Sequence, residues 1–168
     1  MEKKDLRYWE ELFQSLQMKY YSFLAAPLFI FAVFFLRAEN GNEKLLRLTA
    51  TVEDALVISM AILGALSVLI AFVYTRTKFK QARDLPTIDE KVMEFKRIVM
   101  NKYLLLFCIQ ILIVLGYGMT YHNGLMGVFT GLLLYSSFFR PELLTVRRTL
   151  KLKKEEYQKI DYKSNIVS

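Results

Sequence analysis

The chain has one cysteine, Cys108, and one histidine, His122, in 168 residues. A single thiol closes no intramolecular disulfide and makes no CxxC redox pair, which excludes the four-helix quinone-coupled disulfide oxidases and reductases. A single imidazole excludes a bis-histidine haem site or a multi-histidine metal centre within one protomer. Charge is also missing, in blocks: none of the 39 charged residues falls within residues 20–36, 55–75 or 103–139. Ion-coupled transport and intramembrane catalysis usually need an ionisable group inside such blocks, and there is none. The embedded glutamate of the dual-topology small multidrug exporters therefore has no counterpart. The Glu-Arg-x-x-x-Asn type of motif of the four-helix glutathione-linked membrane enzymes is absent too.

What is present is hydrophobic: 54% apolar residues and a mean hydropathy of +0.27, despite 23% charged residues. The run 103–139 holds 37 uncharged residues. One helix of that length far exceeds the roughly 30 Å hydrocarbon core of a bilayer, whereas two helices of about 17 residues fit. The run is therefore expected to be a hairpin of two spans, 103–119 and 124–139, turning around Gly116, Gly118, His122, Asn123 and Gly124. Tyr117 and Tyr121 suit a head-group boundary there. With spans at 20–36 and 55–75, the expected fold is an all-α bundle of four transmembrane helices in a single membrane domain. Eight charged residues, four of each sign, precede the first span, and Ala25, Ala26 and Pro27 lie near its start rather than after an apolar core. That span is expected to be retained as a signal anchor.

The segments outside the spans carry their own patterns. In 1–19, Leu6, Trp9, Phe13 and Leu16 recur at spacings of three, four and three, one face of a helix. This face suits either the head-group layer, with Trp9 as anchor, or another cytoplasmic element. The loop before the second span holds a short apolar patch, 45–48, suited to the outer membrane surface or to capping the bundle. In 76–102, Thr87 and Glu90 form a capping box after Pro86. Ile88, Val92, Phe95 and Val99 then repeat every three or four residues, marking an amphipathic helix that runs towards the third span. In 140–168, Leu143, Val146 and Leu150 form a stripe beside Arg147, Arg148, Lys151, Lys153 and Lys154, a pattern suited to a basic helix on a lipid surface. The tail after Asp161 is expected to fray.

Lys and Arg number four before the first span, three between the first and second, eight in 76–102, none in the hairpin turn and eight after residue 139. The positive-inside rule then places both termini and the 76–102 segment in the cytoplasm, in a multi-pass protein of the inner (plasma) membrane. The two largest basic segments each carry eight basic and four acidic residues, enough to favour an anionic leaflet. No nucleic-acid recognition motif accompanies them.

Within the spans the distinctive groups are few. Gln110 is the one amide, and it reads as helix–helix glue seeking Ser59, Ser67, Thr130 or its copy in a neighbouring protomer, ahead of a ligand contact. Gly64 lies among small residues that mark the second span as a buried, central helix. Gly127 and Gly131 form a GxxxG motif that would bring the third and fourth spans together or join two copies. His122 reads as turn chemistry, and no catalytic, metal or cofactor residues are assigned.

The C-terminal half, through the helix from Ile88 to Lys102, the Asn123-Gly124 turn, Phe139-Arg140-Pro141, Leu150-Lys151-Leu152 and Glu155, resembles a loosely defined group of small bacterial four-span integral membrane proteins of unassigned function. Where that group has threonine after the proline, Glu142 follows Pro141. The resemblance implies a membrane protein and supplies no active residues. The expected role is a non-enzymatic structural or interaction component of a membrane complex. Its partners would be anionic head groups and a protein partner or second copy. The alternatives are a small oligomeric transporter or pore for an uncharged substrate and, behind it, an enzyme using rim carboxylates such as Asp84, Asp89, Glu90 and Glu142.

Overall fold

Charged residues with good helix propensity do not stop a helix, and here they do not. The computed structural model describes residues 3–41, 43, 44, 46, 48–138 and 140–160, with side chains from Tyr8 onward. Among these residues the order is α1 (Lys3–Glu39), α2 (Ala50–Arg83), α3 (Ile88–Thr120), α4 (Asn123–Ser137), α5 (Leu143–Leu150) and α6 (Lys154–Ile160). The Leu6 side chain, Leu45, Phe139 and the tail after Asp161, which entered the expectations above, lie outside the described residues.

The expected amphipathic lead-ins run without a break into the apolar segments beside them. They are the polar halves of long helices: α1, α2 and α3 have 37, 34 and 33 residues, roughly 50–55 Å at 1.5 Å per residue. Each runs unbroken from a charged half into an apolar half, α1 even through Pro27. All three are long and apolar enough to cross a membrane. With its 15 residues α4 rises only about 22 Å and falls short of that length.

The turns follow from local chemistry. Between α2 and α3, Pro86 disfavours helix at Leu85, and the Thr87 hydroxyl accepts from the Glu90 amide at 3.3 Å, one half of the expected capping box. At the other end, α3 does not stop at Gly116 or Gly118 but continues to Thr120. Tyr121, not a glycine, takes the left-handed conformation at φ 51°, and its amide donates to the Tyr117 carbonyl at 2.7 Å. His122 then caps α4, with Nδ1 accepting from the Gly124 amide at 3.0 Å. The two glycines serve packing instead: a Cβ on Gly118 would lie 3.0 Å from the Phe34 ring, and one on Gly116 would touch Leu125 and Leu56 at 3.4 Å.

Two apolar clusters are stacked along the helices. In the turn-end half, Ile113, Val114 and Tyr117 of α3 meet Leu125, Phe129 and Leu132 of α4, with Phe31 of α1 stacked on Phe129 at 4.6 Å. In the basic-end half, Trp9, Leu12, Phe13 and Leu16 of α1 meet Val92, Phe95 and Ile98 of α3 and Leu143, Val146 and Leu150 of α5. Full burial of one such side chain contributes about 1.5–3 kcal/mol in an aqueous layer. Trp9, only 5% exposed, belongs to this cluster rather than to a head-group layer. Of the two places open to its helix face, the structure shows the packed one.

The central helix is α3, not α2. It packs against α1, α2 and α4, and its buried residues recur every three or four positions from Val92 to Thr120. In α2 only Gly64, Ser67, Ala71 and Ala82 are buried, while Ile58, Ile62, Leu66, Leu69 and Ile70 face outward. Small residues here let one edge of α2 approach its neighbours and leave the large ones on the outer surface.

Candidate functional site

Where the charged and apolar halves meet, the chain fixes four helices at one level. The Tyr20 hydroxyl of α1 donates to the Ser137 carbonyl of α4 at 3.2 Å, and its ring lies 5.0 Å from that of Tyr103 in α3. Asn101 of α3 donates to the Tyr74 hydroxyl of α2 at 3.1 Å. Gln17 donates to the Pro141 carbonyl at 3.3 Å, and Arg83 Nε to the Thr149 carbonyl at 2.7 Å, which ties α5 across the top. These bonds frame a cavity of about 230 Å³.

Its walls are aromatic, with Phe72 and Phe79 from α2, Phe95 and Tyr103 from α3 and Tyr135 from α4. Among the described residues two cations, Arg76 and Lys102, line it, and no carboxylate does. Lys102 is 5% exposed, one residue before the apolar run that begins at Tyr103. Its ammonium lies 5.1 Å from the centroid of the Tyr135 ring and 5.9 Å from that of Tyr103, within cation–π range. Burial favours the neutral amine and lowers its pKa from 10.5 to about 8. The hydroxyls of Thr75 and Thr145 point their protons elsewhere, to the carbonyls of Ala71 and Phe72 and of Arg140.

The residues singled out in the sequence fall elsewhere. Gln110 is buried and joins α3 to α4, but its partner is Ser136: Nε2 donates to Ser136 Oγ at 3.1 Å, and that hydroxyl donates onward to the Leu132 carbonyl at 2.8 Å. The partners expected for it, Ser59, Ser67 and Thr130, each bond a carbonyl of their own helix. Gly64 lies close to α4, where an added Cβ would stand 3.1 Å from Val128. Gly127 and Gly131 face open space, so within one chain they do not bring α3 and α4 together. Cys108 is exposed. Arg147, Arg148, Lys151, Lys153 and Lys154 are all exposed, with the Arg147 guanidinium 5.0 Å from the Tyr157 ring.

Lys102 itself was counted in the sequence only as one more positive charge. The signal that locates it is the helical repeat: continuing Val92, Phe95 and Val99 by three places lands on residue 102, the buried face of α3. Tyr135 gives no such signal. Comparison with protein-family models, with curated proteins and with solved structures finds no match.

Proposed function

We propose that the chain is a four-span inner-membrane protein with both termini in the cytoplasm, and that it works without catalysis, as an interaction component that displays a folded cationic layer on the cytoplasmic face of the bilayer. The observation that carries this reading is the use made of the basic segments. They do not trail from the spans; the first, third and last of them converge in one packed cluster around Phe13, Phe95 and Val146. Outside that cluster Arg147, Arg148, Lys151, Lys153 and Lys154 remain exposed. A layer of this kind favours anionic head groups and acidic protein surfaces.

In this reading α4 is the fourth span, short for a full bilayer but packed beside α3 over its length, with local thinning accommodating the difference. The turn end carries His122 and Tyr121, and the Tyr121 hydroxyl donates to the Glu43 carbonyl at 3.3 Å, which draws the two outer connections together. The middle of the bundle is filled by Ile113, Val114, Leu125 and Phe129. A path for an uncharged substrate would therefore have to run between copies rather than through one.

The test is purification of the full chain in native lipid discs, followed by mass spectrometry of what accompanies it. Reproducible recovery of a protein partner or of a defined oligomer is the expected outcome. A clean monomer carrying only bulk lipid would contradict the interaction role.

A further inference from the structure

We propose that the corner between α5 and α6 is a docking site for an acidic segment of a partner protein, a choice that rests on the cationic layer and the membrane placement proposed above. Residues 147–156 hold five cations, Arg147, Arg148, Lys151, Lys153 and Lys154, against two carboxylates. One of the two is already engaged: Glu156 accepts from the Lys91 ammonium and from the Lys153 amide, both at 2.9 Å. Among the described residues no ion pair holds Arg148, Lys151 or Lys154, so their charge is available to a partner. The backbone of the corner is held in place. Leu150, Leu152 and Ile160 are buried on either side of it, in the cluster shared with α1 and α3. Lys151 takes the left-handed conformation at φ 53°, and the amides of Lys151 and Leu152 both donate to the Arg147 carbonyl. Glycine is the usual residue at such a corner, because a side chain is strained there. This chain keeps a lysine. A backbone fixed in advance loses little freedom when a partner arrives.

Height above the bilayer separates a protein partner from lipid. The apolar surface ends at Thr75 in α2 and at Tyr103 in α3. Arg83, whose Nε donates to the Thr149 carbonyl, stands eight residues beyond Thr75, and Lys91, which holds Glu156, stands twelve beyond Tyr103. At 1.5 Å per residue these two ties set the corner about 12–18 Å beyond the apolar surface along the helix axes. The head-group layer is only about 5–8 Å thick on each side. The corner therefore stands clear of the head groups, in the aqueous layer. Nucleic acid, the other polyanion, favours rings on which its bases stack. The one aromatic residue of 147–160, Tyr157, is half-buried with the Arg147 guanidinium over its ring. An acidic protein segment needs only complementary charge.

Binding is tested on the full chain in neutral maltoside detergent, with a fluorescein-labelled peptide of alternating glutamate and serine followed by anisotropy. Saturable binding that weakens as salt rises is expected, and a glutamine–serine peptide should not bind. Arg148→Gln combined with Lys151→Gln should weaken binding by about fivefold or more, the scale of exposed ion pairs. Lys19→Gln combined with Arg97→Gln, which removes exposed cations elsewhere, should leave it unchanged. Lys151→Gly should raise the melting temperature and still weaken binding, whereas Lys151→Arg should retain it. No binding of the acidic peptide, equal losses in the two double variants, or tighter binding of an oligouridylate would overturn the proposal. The lipid alternative is measured in phosphatidylglycerol discs carrying a spin label on the head group, in a Cys108→Ser background. A fluorophore on Arg140→Cys should be quenched more strongly than one on Lys154→Cys. Equally strong quenching would assign the corner to lipid and overturn the proposal. Quenching at neither position would refute the membrane placement itself, and the choice of partner with it.

Discussion

Replacing Lys102 by methionine should make the protein more stable, against the usual direction for a buried site. The ammonium is held where its pKa is about 8 instead of 10.5. Each unit of such a difference corresponds to about 1.4 kcal/mol, so the charged form costs the folded state about 3 kcal/mol at pH 7. Methionine has nearly the same length and no charge, and it forfeits the contacts with the Tyr103 and Tyr135 rings, each about 0.5–1 kcal/mol. A net gain of about 1–2 kcal/mol remains. The pH dependence follows from the direction of the shift. Because the folded pKa lies below the unfolded one, the unfolded chain binds more protons between them. Stability of the unsubstituted protein therefore rises with pH from about 8 to 10.5 and is flat below that window. Equilibrium unfolding of delipidated protein in mixed micelles, followed by circular dichroism at several pH values, measures both effects. Lys102→Met should be the more stable at pH 7, and the two proteins should converge as the pH rises. A variant that is less stable at pH 7, or one that keeps a constant difference across the window, would refute the burial argument.

Other substitutions test the packing. Gly118→Ala places a Cβ 3.0 Å from the Phe34 ring and should destabilise by about 1–3 kcal/mol, with Phe34→Leu restoring part of the loss. Gly131→Ala meets nothing within 4 Å and should be neutral or stabilising within one chain, so a marked loss would mean that another copy or a partner packs there. A double-mutant cycle on Gln110→Leu and Ser136→Ala should give a coupling of about 0.6 kcal/mol, the usual scale for a hydrogen bond between membrane helices; zero coupling would deny the bond. Trp9, buried among α1, α3 and α5 side chains, should fluoresce in the blue and resist quenching by brominated lipids. Strong quenching would return it to the head-group layer.

The apolar architecture was legible because hydropathy and charge segregation answer directly to the bilayer. The uncharged blocks coincide with the apolar halves of α1, α2 and α3, and the Thr87 cap stands where its spacing placed it. Hydropathy does not separate a lipid-facing surface from a protein-facing one. Ile62 and Leu66 of α2 read like core residues yet point outward, and the small residues beside them suggested a central helix that turned out to be α3. A change from charged to apolar sequence does not mark a helix end, and the lead-in helices expected to run towards the first and third spans continue into them through Lys19 and Lys102. The candidate cavity escaped notice for a related reason. It assembles one cation from α3, another from α2 and aromatic side chains from α2, α3 and α4, with lining residues up to 77 positions apart, from Phe72 to Thr149. Only the helical repeat ending at Lys102 hinted at a buried charge.

The membrane placement underlies the reading of the cationic layer, and insertion of reporters measures it most directly. A reporter active only in the periplasm should be active when inserted at His122, on the turn between α3 and α4, and silent at Gln81, near the basic end of α2. Activity at Gln81 with silence at His122 would reverse the orientation. Silence at both positions would contradict a membrane hairpin altogether.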